Sequence, residues 1–128
     1  MLFRSPDAVI AMLGQRDPRQ AGEVYAALQK DLYWERKNLP AVLVISQAGI
    51  DLALSHARRS SDSDLAKTLK MNAKRLAFNL ASFTWPGWKE PGITPTAVDL
   101  DAGRRAAELN VSLAEELHRP PADQANAL

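Results

Sequence analysis

The sequence contains no cysteine, which removes disulfides, thiol catalysis and every cysteine-based metal centre at once. Histidine occurs only as His56 and His118. A helical metal site wants a second ligand at i+3 or i+4, and Arg59 and Ser60 cannot serve beside His56. His118 has Glu115 at i−3 but no further companion. Both imidazoles are better placed to meet the dipole at a helix C-terminus. Charge of one sign is equally scarce: the formal net charge is +1, so neither a global nucleic-acid footprint nor an acidic tail is present. The longest apolar run, Pro40 to Leu54, is interrupted by Ser46, Gln47 and Asp51 and is short for a bilayer. The opening Met1 to Asp7 carries charges too early and too mixed for a secretory signal. These features predict a cytoplasmic protein that is neither exported nor membrane-spanning.

Catalytic patterns are missing too. No phosphate loop, nucleophile elbow or zinc motif occurs. The pairs Glu115-Glu116 and Asp99-Asp101 have no apolar neighbours arranged to raise a pKa. Arg104-Glu108 and Glu115-Arg119 read as surface pairs at i, i+4. No enzyme activity, cofactor or metal is expected.

What remains is an ordinary globular composition, 46% apolar and 24% charged, long enough for one helical domain over residues 1–128. Helix starts are well marked. Ser5-Pro6 and Asp17-Pro18 each set a capping oxygen before a proline at the first helical position. Pro40 after Asn38-Leu39, the Ser60 to Asp64 cluster, and Thr96 with Asp99 mark three more starts. Pro120-Pro121 opens a sixth, short helix. Periodicity agrees: Leu65, Leu69, Ala73, Leu76, Leu80 and Phe83 form one face of the fourth helix. Ala102, Ala106, Leu109, Leu113 and Leu117 do so in the fifth, and Ala21, Val24, Tyr25, Leu28 and Leu32 in the second. The third is apolar nearly all round and reads as the most buried. The prediction is all-α: five long helices and a short C-terminal one, antiparallel because their connections are short. Residues 84–95 form the one long loop, and its Trp85-Pro86-Gly87-Trp88 core predicts order.

The segment from Ala107 to Leu128 resembles the junction between two tetratricopeptide repeats. Ala107, Val111 and Ala114 stand at that family's small-large-small offsets, and Pro120 stands near its proline. The resemblance implies a helical-repeat fold and a protein-binding role. Helix starts in this chain depart from the family's repeat length, and the first-helix tryptophan signature is missing. Asn79 to Trp88 is similar to segments of uncharacterised bacterial helical-repeat proteins, which implies no activity.

Two features are candidate binding sites. Trp85 and Trp88 could form a platform for a peptide, a proline-rich segment or a planar ligand, although a buried plug is the commoner fate of such rings, and Tyr33 and Trp34 could join the same cluster. Lys67, Lys70 and Lys74, with Arg75 alongside, fall on one helical face and could receive an acidic partner. A solvated face is the plainer reading, and without interleaved aromatics nucleic acid is a poor fit. The expected function is a non-catalytic protein–protein interaction module. The alternatives are a self-assembling homodimer, built on the last or third helix, and a small-ligand pocket or enzyme near the Trp loop.

Overall fold

Five helices begin where the capping residues predict. A computed structural model describes residues 5–118, and among these it contains α1 (Pro6–Leu13), α2 (Pro18–Lys30), α3 (Leu39–Arg59), α4 (Ser63–Thr84) and α5 (Ala97–His118), with no strand. The side chains of Ser5, Asp17, Asn38 and Asp62 each accept a hydrogen bond from a first-turn amide. Thr96 and Asp99 close a reciprocal box: the Thr96 amide donates to Asp99 at 2.8 Å, and the Asp99 amide donates back to the threonine hydroxyl. The predicted sixth helix, the Pro120 offset and the Glu115-Arg119 pair lie outside the described residues.

Two expectations need correction. α1 is a single short helix of 8 residues, because Asp17-Pro18 opens a new helix soon after Leu13. α3 is not buried all round. Val44 is 45% exposed, and Gln47 and Asp51 hydrogen-bond to each other at its surface. By length and composition α3 could span a membrane, yet 44% of its most apolar window is buried inside this fold. α4 is the better-covered helix: it packs extensively on both α3 and α5 and also on α2.

Residue pairings define the packing. Gln29 of α2 meets Ser46 of α3, while Tyr25 lies against Gly49. Gly49 also faces Leu76 of α4, while Ala57 clusters with Ala66 and Leu69. Lys70 pairs with Glu116 near the end of α5, while Thr84 lies against Gly103 near its start. At Gly49 a Cβ would stand 2.8 Å from both Leu76 and Tyr25; at Gly103 it would sit on the Thr84 hydroxyl and 2.9 Å from that residue's Cβ. Both helix crossings depend on a missing side chain.

The core holds one cross-linked polar group. Gln29, fully buried, donates to the Ser46 hydroxyl at 2.8 Å and to the Leu76 carbonyl at 3.0 Å, and its own oxygen accepts from Asn79. Three helices are thereby held in one register. Immediately after α2 the backbone widens into a π-helical turn, Asp31–Glu35. The extra residue lets consecutive Leu32 and Tyr33 both enter the core. Tyr33 stacks on Phe83 with centroids 4.1 Å apart, and Trp34 meets both rings edge-on.

Tyr25 and Tyr33 are the two tyrosines of the chain, each 1% exposed. Burial raises both phenol pKa values above the ordinary 10.0, and the Glu90 charge adds to the rise at Tyr33. Above pH 10 the unfolded chain therefore loses protons that the folded chain keeps. The stabilisation is complete below that pH and is lost as pH rises toward the folded pKa values. In an alkaline titration, tyrosinate absorbance should appear together with loss of the helical circular dichroism signal. A phenol titrating smoothly while the helices persist would show that one ring reaches water.

Candidate functional site

The loop after α4 turns back along the helix ends and exposes Trp85. Pro86–Trp88 form a short 3-10 turn; Lys89 then adopts a left-handed conformation with φ 51°, and Gly92 takes φ 85°. The ion pair between Lys37 and Glu90 pins the loop to the chain just before α3, and Ile93 packs on the core. Trp85 is 60% exposed, so the buried-plug expectation does not hold for it. Its ring lies over Gly87, where a Cβ would approach to 2.6 Å. Trp88 ends the 3-10 turn, and its side chain lies outside the described set. Tyr33, Phe83 and Trp85 line one open hollow of about 480 Å³ with Pro86 and Pro95; of the expected pair Tyr33 and Trp34, Tyr33 alone is among its walls.

The basic face is divided. Lys70 is buried and bonded to Glu116 at 2.8 Å, both side chains largely out of solvent, so it clamps α4 to α5 and faces no partner. An ammonium in so little water requires the carboxylate beside it. Lys67 and Lys74 remain at the surface and make no ion pair among the described residues, whereas Arg75 reaches Glu23 on α2 at 3.2 Å.

Lys67 and Lys74 border a groove of about 670 Å³ between α4 and the end of α5, with Met71, Phe78, Ala114 and His118 among its walls. The groove continues past Phe78 to Ala81, Ser82 and Trp85, facing Ala107, Asn110 and Val111. The two hollows meet at Phe78 and together run beside the second half of α5, cationic at one end and aromatic at the other. Their apolar walls are open to water: Met71 and Phe78 are each 55% exposed, as is Val111. Midway, the buried side-chain oxygen of Asn110 has no hydrogen-bond partner among the described residues.

Met71, Phe78 and Asn110 were not singled out from the sequence, and Val111 only for its place in a repeat pattern, yet a signal existed. Met71 and Phe78 on α4, and Trp85 just past its end, recur at seven-residue spacing, the first two on the opposite side of α4 from Leu69, Ala73, Leu76 and Leu80. A second apolar stripe on a helix whose first stripe already fills the core announces a second packing surface.

His56 ends α3 beside Arg59, whose guanidinium lies 3.5 Å from its ring nitrogen. No cluster of metal-ligating side chains occurs among the described residues. Asp101 is held below the usual carboxylate range, first by its hydrogen bond with Arg104 and also by Arg105. These charges form a surface network on α5 with Glu108. No protein-family profile, curated protein or solved structure matches this chain.

Proposed function

We propose that this protein is a non-catalytic interaction module whose α4/α5 groove receives a helix from a second protein. The observation that carries this reading is the continuous exposed stripe of Met71, Phe78 and Trp85 opposite Val111. Single exposed apolar residues are ordinary, but large ones aligned along a helix and just past its end, facing a trench, mark an association surface. Helix-in-groove recognition uses anchors at this kind of spacing. The residue pairings favour successive antiparallel helical hairpins, and a tetratricopeptide-like stack would present such a surface at its last helix pair. The polar side of α3, with Gln47 and Asp51, suits a core helix of a cytoplasmic domain better than a membrane span.

The test compares wild type with Phe78→Glu and Trp85→Ala, both at exposed positions where the fold should persist. Light scattering across protein concentration should show a monomer. Quantitative affinity recovery from the source cells should yield a partner that each variant retains about tenfold less well. A dimer that Phe78→Glu dissociates would instead assign the groove to a second copy of this chain. Equal recovery by wild type and both variants would remove the groove from consideration.

A further inference from the structure

We infer that the occupant of the α4/α5 groove is an amphipathic helix with an acidic flank, seated with that flank over Lys67 and Lys74. The inference rests on the groove reading and specifies the partner's chemistry. Met71, Phe78 and Trp85 stand one heptad apart, so the trench they line runs for about 21 Å, roughly four helical turns. The facing bank is stepped by small residues, Ala107 and Ala114, on either side of Val111. Large side chains of an entering helix can settle over those alanines, while its smaller ones pass Phe78 and Trp85. The heptad step matches the seam of a packed helix.

Charge then decides which helix. On the α4 bank Lys67 and Lys74 make no ion pair among the described residues, whereas Lys70 is bonded to Glu116 and Arg75 leans toward Glu23. Beyond the opposite bank, in an adjoining hollow of α5, Glu108 and Glu115 stand beside Val111. Glu108 is held by Arg104, and Glu115 makes no ion pair among the described residues. The groove's own walls thus carry lysines on the α4 bank, while the nearest carboxylates stand beyond the α5 bank. A nucleic acid, anionic on every side, would meet those carboxylates unfavourably. A helix with carboxylates on one flank and an amine on the other satisfies both.

The test uses two fluorescein-labelled model helices of roughly 18 residues with the same leucine seam. One carries glutamate on the flank destined for α4 and lysine on the other; its counterpart has these charges exchanged. Fluorescence anisotropy with the full chain should give about tenfold tighter binding of the first, narrowing at about 0.5 M salt. In the double variant Lys67→Glu, Lys74→Glu, whose fold is verified by circular dichroism, the preference should invert. Equal binding of both peptides, or a preference unmoved by the double variant, would overturn the charge inference and leave the groove reading intact. Failure of both peptides to bind, or binding undiminished in Phe78→Glu, would overturn the groove reading itself.

Discussion

Replacing Gly103 by alanine should destabilise the protein by about 3 kcal/mol, the upper end of what overpacking usually does. The new methyl would sit on the Thr84 hydroxyl and 2.9 Å from its Cβ. Thr84 cannot rotate away cheaply. It is 2% exposed, and its hydroxyl donates to the Leu80 carbonyl at 2.9 Å and also to Ala81. The clash is thus with a fixed group, and relief requires α5 to move off α4. Urea denaturation monitored by circular dichroism should show a lower midpoint with little change in slope. Thr84→Ala in the same chain should recover part of the loss, since it removes the hydroxyl but leaves the Cβ contact. A Gly103→Ala variant as stable as wild type would mean that the two helices do not approach this closely.

The second large effect is expected at Gln29. Gln29→Leu preserves volume but strands the buried Ser46 hydroxyl, the Asn79 amide and one bond to the Leu76 carbonyl. Each buried group left without a partner costs about 1 to 3 kcal/mol. With Asn79 only half-buried and Leu76 still able to accept within its helix, the total should be about 3 kcal/mol. The triple variant Gln29→Leu, Ser46→Ala, Asn79→Leu removes the partners together and should regain most of that loss. If the single substitution proved harmless, the network would be adding nothing to the register of α2, α3 and α4.

The helices were legible in the sequence because their signals are local. Ser5, Asp17, Asn38, Asp62 and Thr96 each cap the element they precede, and the Leu69-to-Phe83 stripe on α4 is buried as its spacing predicts. The π-helical turn after α2 was not legible, since nothing in Asp31-Leu32-Tyr33-Trp34-Glu35 distinguishes a widened turn from an ordinary one. Side-chain commitments between helices were hidden as well. Lys70 reads as one of three equivalent lysines until Glu116, far along the chain, arrives beside it. Trp85 reads as a plug because tryptophan usually is one. Its exposure follows from where the chain turns after Thr84, a property of the α4/α5 crossing. The groove exists only once both helices are in place, since α4 and α5 each supply part of its wall.

α5 leans almost wholly on α4 and barely reaches α3. It is fastened near one end by Gly103 against Thr84 and near the other by Lys70 with Glu116. A helix attached along one side can lift away without melting the rest, so its amides should exchange with deuterium through a smaller opening than those of α3. Lifting α5 also abolishes the trench. Occupancy and attachment are therefore thermodynamically linked, and whatever fills the groove suppresses the opening in proportion to its concentration over its dissociation constant. The protein would thus register its partner as a slowing of local motion, with no rearrangement of the fold.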